Sequence, residues 1–305
     1  MRLIYRFIIK LVDLLKIGAA CVDSKMAQRY GKYHNAPGML FDDFGRRLGR
    51  RICISNPGLA SQYLFCPMHL FRYWEFDFAY RQLPQQLDNI LDVSSPRLLS
   101  LMIGSEKTSK ILMINPDLSD LQETEMFIQS LHLKNVTTMN VGIEAIQDLK
   151  EEFDCIMCIS VIEHIDGAMD DSAALKIMYD ALRPNGRLII TIPVDKNYYE
   201  EFSDSQQYGT QPKIAEGKYF FQRIYDWDTI NSRIIDKVGT KPKIHWFGEK
   251  ISGHYRAYSN YRSQEGFVRR VNDPKELVDN FQEFESWEAM PGLGICGMAF
   301  IKDIG

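Results

Sequence analysis

Short apolar runs recur between residues 89 and 193, and segments with helical spacing separate them. The apolar runs are residues 90–93, 111–115, 136–139, 153–160 and 187–192. The helical segments are Leu98 to Ile103, Asp120 to Leu133 and Ser172 to Leu182. Because strands and helices alternate along the chain, the pattern predicts a parallel sheet with helices on both faces. The runs are apolar almost throughout, as is typical of strands buried on two faces.

Two later apolar runs extend this sheet. Residues 243–247 and 295–301 read as a sixth and a seventh strand, so the pattern predicts a seven-stranded, mostly parallel sheet.

The first predicted helix, Leu98 to Ile103, has residues typical of helix ends on both sides. Ser95 suits the N-cap, Pro96 suits the first helical position, and Gly104 can close the helix.

The first 17 residues have apolar side chains at helical spacing and charged residues on the other face. Charges from Lys10 onward interrupt any long apolar span, so the pattern favours neither a transmembrane helix nor a clean signal peptide. Two interpretations stay open. The helix packs onto the domain, or it lies on a membrane surface as a basic amphipathic helix.

Two aromatic-rich regions flank the core of the sheet. Residues 1–80 are predicted to form a helical and aromatic cap, with a basic cluster at Arg46, Arg47, Arg50 and Arg51. Residues 81–305 form the main domain, and residues 194–240 form an insertion that contains helices such as Asp228 to Asp236. Two interpretations stay open for these regions. They cover a bound ligand, and the arginines contact an anionic acceptor, or they form a packing layer with the arginines on a solvated helix face.

The composition is that of a globular protein and narrows the function classes. The chain has 305 residues, of which 45% are hydrophobic and 25% are charged. The formal net charge of -4 gives no general attraction to nucleic acid, and no nucleic-acid module is present. Six scattered cysteines favour a reducing, cytoplasmic compartment. Cys155 and Cys158 fall on one strand and point to opposite faces, so they form neither a metal site nor a disulfide.

Polar residues follow the predicted strands where each one ends. Asp92 and Ser94 end the first strand, Asn115 the second, and Ser160 the fourth. In a parallel sheet the carboxyl ends of the strands form one edge, and ligands bind there. His164 follows the fourth strand and is the best-placed titratable group.

The runs FDCIMCISVIEHI and ALRPNGRLIITIPV resemble the class I S-adenosylmethionine-dependent methyltransferases, of the type 11 kind. The resemblance implies a Rossmann-like fold, methyl transfer, and S-adenosylmethionine as cofactor. By position it assigns the methionine moiety to Asp92 and Ser94, and the ribose to Asn115. It assigns the adenine to the loop of Asn140, Gly142 and Ile143, and the methyl-transfer site to Ser160.

This chain departs from the family pattern twice. The glycine-rich turn is Val-Ser-Ser-Pro-Arg here, with no glycine before Gly104. The usual acidic ribose ligand is Asn115, which can pair with a hydroxyl but carries no charge. Two hypotheses follow. The chain is a methyltransferase for a small-molecule or glycan acceptor, or it is a non-catalytic binding or scaffold protein with an eroded cofactor site.

Candidate chemistry centres on a base near the fourth strand. Methyl transfer is an in-line displacement, and a hydroxyl acceptor benefits from a base. His164 is the candidate catalytic base, and His254 is a weaker one. Asp166, Asp170 and Asp171 could be metal ligands by composition, but a solvated helix start explains them better, so we expect no metal. A dehydrogenase would need a Gly-x-Gly-x-x-Gly turn and a hydrolase a Gly-x-Ser-x-Gly elbow; the chain has neither.

Overall fold

The computed structural model describes residues 2–167, 169–206, 217–264 and 270–303, with side chains from residue 18 onward. The chain divides into two compact units. Unit 1 comprises Met1–Trp74 and Glu249–Gln282, and unit 2 comprises Glu75–Gly248 and Glu283–Gly305. The predicted strands of the sheet lie in unit 2.

The helices alternate with the strands through the middle of the chain. The helices are α1 (Arg2–Tyr33), α2 (Met39–Ile52), α3 (Pro57–Phe65), α4 (Leu70–Arg81), α5 (Leu98–Glu106), α6 (Leu118–Leu131), α7 (Asp171–Ala181), α8 (Trp227–Ile230), α9 (Asp236–Val238), α10 (His254–Ser263) and α11 (Asp273–Asn280). The strands are β1 (Asn89–Val93), β2 (Lys110–Ile114), β3 (Val136–Met139), β4 (Phe153–Ile159), β5 (Leu182–Val194), β6 (Tyr199–Ser203), β7 (Tyr219–Ile224), β8 (Lys243–Glu249), β9 (Phe281–Phe284) and β10 (Gly294–Ile301).

The main sheet has the order β3-β2-β1-β4-β5-β10-β8-β9 among the described residues. Strands β1 to β5 are parallel, and β10 is antiparallel to both β5 and β8. The prediction of a mostly parallel sheet in a Rossmann-like fold is therefore confirmed. The strand count differs, because the short strand β9 adds an eighth strand beside β8.

Burial on both faces explains the continuous apolar character of the central strands. Every residue of β4 except Asp154 is buried, and β1 is buried from Ile90 onward. Some of their side chains, among them Leu91, Ile156 and Cys158, belong to one hydrophobic cluster with residues of α7, β5 and β10. At about 25 cal/mol per Å² of apolar surface, this burial is the main favourable term that holds the strand ends in place.

The start of α5 differs from the expected cap. Arg97 occupies the N-cap position without a side-chain cap bond, and the helix runs to Glu106. Ser95 instead accepts a hydrogen bond from the Ile159 amide at 3.1 Å, so its hydroxyl joins the turn after β1 to β4. Gly104 lies inside the helix, where a Cβ would come within 2.5 Å of Val136 Cγ2 on β3. The glycine is therefore required by close packing and does not end the helix.

Buried ion pairs hold unit 1 together. Asp42 accepts hydrogen bonds from Arg46 Nε at 2.6 Å and from the Tyr73 hydroxyl at 2.7 Å. Asp273 accepts in the same way from Tyr258 at 2.8 Å and from Arg262 at 2.6 Å. Arg46 therefore has a structural role, which contradicts the idea that it contacts an anionic acceptor. Several aromatic residues of the following segment are fully buried, which supports the packing interpretation; they are Tyr73, Trp74, Phe76 and Phe78.

The insertion after β5 begins with a two-stranded hairpin. Strands β6 and β7 pair antiparallel, and residues 207–216 between them lie outside the described part of the chain. A continuous helical segment follows from Trp227 to Val238, built from α8, the π turn Asn231–Ile235 and α9. The prediction of a helix near Asp228 to Asp236 is confirmed.

The N-terminal segment is helical, as its spacing predicts, and forms the first half of α1. The side chains of residues 2–17 lie outside the described residues, so the amphipathic face stays a prediction. In the part of the chain that is described, no helix is both long enough and apolar enough to cross a bilayer.

Candidate active site at the strand ends

The polar residues at the ends of β1, β2 and β4 lie along one edge of the sheet. Asp92 pairs in register with Met113 on β2 and with Met157 on β4, so these three parallel strands end side by side. The strand order reverses between β1 and β4. From β1 the chain adds β2 and β3 toward one edge of the sheet, and it then adds β4 and β5 on the other side of β1. Such a switch point is where open α/β sheets bind their ligands. We call the edge formed by Asp92, Ser94, Asn115 and Ser160 the rim.

Asp92 is fully buried at the base of the rim. Its carboxylate accepts a hydrogen bond from the Ser95 amide at 2.9 Å and another from the Ser100 hydroxyl. Burial raises the pKa of Asp92 to about 6, against the lowering effect of these hydrogen bonds. Asp92 therefore shapes the turn that leads into α5, and direct contact with a cofactor stays a prediction.

Ser94 takes the backbone conformation that a glycine would supply. Its φ of 51° lies in the left-handed region, which residues other than glycine rarely adopt. Both its amide and its hydroxyl bond to the Ile114 carbonyl, at 2.9 and 3.1 Å. The turn thus keeps a left-handed conformation without a glycine, and its hydroxyl is tied to β2.

Ion pairs and a hydrogen bond link four polar side chains next to this turn. Arg97 forms an ion pair with Asp120 and a second one with Glu123 at 2.9 Å. Asn115 donates from its amide to the other Asp120 oxygen at 3.0 Å. Burial raises the pKa of Asp120, partly offset by Arg97. The sequence pattern identified Asp120 only as the start of a helix, but the structure brings its carboxylate beside Asn115.

The loop after β3 lies beside Asn115. Asn140 is exposed, and its side-chain amide donates to the carbonyls of Asn115 and Pro116 at 2.9 and 3.1 Å. Gly142 is half-buried and precedes a 3₁₀ turn, Ile143–Ile146, in which Ile143 is buried. The loop thus offers polar and apolar groups next to the end of β2.

Ser160 lies at the end of β4 and is half-buried, with a left-handed φ of 48°. Its amide donates to the Thr191 carbonyl at 3.0 Å and to the Thr191 hydroxyl at 3.1 Å. Its own hydroxyl donates to Glu75, a fully buried residue of α4. Sequence reasoning missed Glu75, because it lies 85 positions away within an aromatic run.

His164 ends a 3₁₀ turn, Ile162–His164, that follows β4. Its Nδ1 lies 2.6 Å from the Phe221 carbonyl on β7. Because a carbonyl can only accept, Nδ1 carries the hydrogen, and in the neutral ring Nε2 holds the lone pair. The geometry therefore leaves Nε2 as the basic nitrogen, 3.8 Å from Glu163. A catalytic role for His164 stays a prediction.

The other titratable candidates are engaged elsewhere. His254 lies in unit 1, where it bonds Glu276 and stacks on Tyr258. Asp170 caps α7 through the Ala173 amide at 2.8 Å. Asp171 is buried and bonds the Tyr225 hydroxyl at 2.7 Å and Arg233. No metal-binding group of His, Cys, Asp or Glu occurs among the described residues, and Cys155 and Cys158 are buried free thiols.

Comparisons with known proteins identify the domain. Residues 101–190 match the family model described as a methyltransferase domain. The [4+2]-cyclase SpnF has a TM-score of 0.52 at 15% identity, with 86% of this chain and 97% of that chain covered. Coclaurine N-methyltransferase, bound to N-methylheliamine and SAH, has a TM-score of 0.50 at 14% identity, with 97% of this chain and 99% of that chain covered. No curated protein sequence matches the chain.

The rim carries hydrogen-bonding groups at the positions where the family resemblance predicts cofactor binding. Half-buried or exposed hydrogen-bonding groups lie at each expected position: Ser94, Asn115, Asn140 and Ser160. The Asp120 carboxylate lies 3.0 Å from Asn115, so an acidic group is present at the end of β2 after all. Residues 101–190 therefore match a methyltransferase domain, and the fold of the chain is similar to that of coclaurine N-methyltransferase.

Proposed function

We propose that this protein transfers a methyl group from S-adenosylmethionine to a small-molecule or glycan acceptor. The observation that carries the proposal is the rim, where β1, β2 and β4 end side by side at the switch point of the sheet. When bound, S-adenosylmethionine supplies a methyl group activated on a sulfonium. The protein then has to position the acceptor and exclude water, which is what supplies most of the rate in an in-line displacement.

We assign the cofactor to the residues that the resemblance names, with one addition. They are Asp92, Ser94, Asn115, Asn140, Gly142, Ile143 and Ser160. The addition is Asp120, because its carboxylate can accept hydrogen bonds from ribose hydroxyls where Asn115 has no charge. Asn115 would orient that carboxylate through the bond of 3.0 Å.

We propose His164 as the base for the acceptor. The Nδ1 hydrogen is donated to the Phe221 carbonyl, so in the neutral ring Nε2 carries the lone pair that would take a proton. The hairpin that supplies this carbonyl also donates from Arg223 to the Ile165 carbonyl at 2.6 Å. The insertion thus packs on the loop that follows β4, which supports the prediction that residues 194–240 shape the acceptor pocket.

Two observations support a small-molecule or glycan acceptor. The hairpin presents aromatic side chains, of which Phe202 is exposed and Phe220 is buried. Coclaurine N-methyltransferase, a structural neighbour, is bound to a small molecule in its structure. We retain the prediction that residues 1–80 form a cap, and we expect no nucleic-acid partner at a net charge of -4.

We propose a cytoplasmic location, with peripheral membrane contact through residues 1–17. All six cysteines are free thiols, which is typical of a reducing compartment. The membrane contact rests on the charged and apolar spacing of the first 17 residues. Liposome flotation with and without residues 1–17 tests that contact.

The second candidate is a non-catalytic binding or scaffold protein. Two observations favour it: the turn after β1 has no glycine, and Asp120 is already bonded to Arg97 and Asn115. If Asp120 keeps these contacts, its carboxylate does not serve a cofactor ribose.

Isothermal titration with S-adenosylmethionine and S-adenosylhomocysteine separates the two candidates. A methyltransferase gives saturable binding of both, and Asp120→Asn weakens it about tenfold, because hydrogen bonds to a charged group are among the strongest. The matched control is Asp303→Asn, which removes an exposed carboxylate near the C-terminus. Absence of heat at high micromolar cofactor favours the scaffold.

A further inference from the structure

Glu75 places a buried carboxyl group directly behind the rim. The residue lies on α4 and is 0% exposed, as is Thr191 on β5. One carboxylate oxygen, Oε1, accepts hydrogen bonds from two hydroxyls, those of Ser160 and Thr191, the second at 2.7 Å. A buried acidic group is rare unless it is bonded in this way. Neither the family resemblance nor the domain match involves this residue.

These contacts determine what Ser160 can offer a ligand. A hydroxyl has one hydrogen to donate and two lone pairs to accept with. The Ser160 hydrogen points to Glu75, and the Thr191 hydrogen points to the same oxygen. Thr191 in turn accepts from the Ser160 amide at 3.1 Å. The Ser160 oxygen therefore has only lone pairs left for a ligand, and the matching ligand group is an N–H or O–H donor.

The position of Ser160 indicates which donor that is. The preceding residue, Ile159, donates its amide to Ser95, so the end of β4 is joined to the turn after β1. That turn is where the methionine moiety of the cofactor is expected. Ser160 also has a left-handed backbone, with φ 48°, of the kind that concentrates at binding sites.

We propose that Glu75, Ser160 and Thr191 form a subsite for the amino group of S-adenosylmethionine. Ser160 accepts the hydrogen bond from the amino group, and Glu75 is the positioning residue that keeps the Ser160 hydrogen turned away from it. The negative charge of the carboxylate favours a protonated amine at this place. This inference rests on the proposed function, because it requires that the cofactor binds at the rim.

The test compares S-adenosylhomocysteine with an analogue that lacks the amino group, 5′-S-(3-carboxypropyl)-5′-thioadenosine, by isothermal titration. In Glu75→Leu and Ser160→Ala we expect the affinity for S-adenosylhomocysteine to fall about tenfold, and the affinity for the analogue to change less than about twofold. Glu75→Gln keeps an oxygen that accepts from both hydroxyls but removes the charge, so its loss should be smaller. Glu285→Gln, at an exposed position, is the control for charge.

Each result either supports the subsite or overturns it. Equal losses for both ligands, or no loss for S-adenosylhomocysteine, overturn it while the proposed function stands. Wild-type protein that binds neither ligand counts against the proposed function itself. Circular dichroism and thermal unfolding establish that each variant is folded. If Glu75→Leu fails to fold, Ser160→Ala and Glu75→Gln decide the question.

Discussion

At the scale of single residues, Ser94 and Ser160 define the candidate site through their backbones. Both have a left-handed φ, 51° and 48°, at the ends of neighbouring strands. Such conformations cost on the order of 1–3 kcal/mol each, and persist where surrounding contacts hold them. Ser94 is held by two bonds to Ile114, and Ser160 by two bonds from its amide to Thr191. Both positions therefore keep a left-handed backbone although neither residue is a glycine.

Some residues of the candidate site could be predicted from the sequence and others could not. Asp92, Asn115 and Ser160 could be found because each follows an apolar run directly. Glu75 and Asp120 could not, because their roles depend on side chains brought together by folding. Glu75 lies 85 positions from Ser160, and Asp120 lies 23 positions from Arg97. Local patterns carry no information about such pairs.

Asp92 makes stability depend on pH in a specific direction. Its pKa of about 6 in the folded protein exceeds the unfolded value of about 3.9. The stabilising contribution of the protonated form is therefore complete below about pH 4 and is lost as pH rises through about 6. Asp92→Asn imitates the protonated form. We expect the free energy of unfolding of the wild type, relative to Asp92→Asn, to fall by on the order of 3 kcal/mol between pH 4 and 7.

Urea unfolding of both proteins across this range checks the expectation. The difference between the two proteins removes the contribution of other buried acids, such as Asp273, whose pKa is raised to about 7. Two stability curves that stay parallel from pH 4 to pH 7 would show that the Asp92 carboxyl is not perturbed by burial.

At the scale of elements, the long apolar strands were predictable and the short amphipathic ones were not. β4 and β5 are buried along most of their length, so their sequences show it. β9 has four residues, of which Gln282 and Glu283 are exposed, and such a segment has no distinct pattern. The hairpin of β6 and β7 was likewise missed, because β6 alternates only between half-buried and exposed positions.

Gly104 illustrates how packing between elements overrides helix propensity. In an isolated helix, Gly→Ala would stabilise by about 1 kcal/mol. In α5, the new Cβ would meet Val136 Cγ2 at 2.5 Å. We therefore expect Gly104→Ala to destabilise the protein by about 1–3 kcal/mol, as overpacking does.

A double-mutant cycle with Val136→Ala tests the cause. If the contact between residues 104 and 136 is responsible, the double mutant is more stable than the sum of the two single changes implies. Strict additivity, or a stabilising Gly104→Ala, would contradict this account of α5. Thermal or urea unfolding gives the required free energies.

At the scale of the whole molecule, the match to the methyltransferase-domain model covers a central part of the chain, residues 101–190. The rim extends beyond that match, since Asp92 and Ser94 precede it, and Thr191, which bonds Ser160, follows it. The parallel strands that bring them together are the part of the fold that sequence patterns predicted best. The helices of unit 1 were predicted least well, because residues 18–80 mix charged and aromatic residues without a clear period.

The most direct test of the account is a crystal structure of the protein with S-adenosylhomocysteine. The account predicts that the ligand lies along the rim, with its ribose beside Asn115 and Asp120 and its amino acid portion beside Ser94 and Ser160. A ligand bound on another surface, or no ligand bound at the rim at saturating concentration, would contradict it.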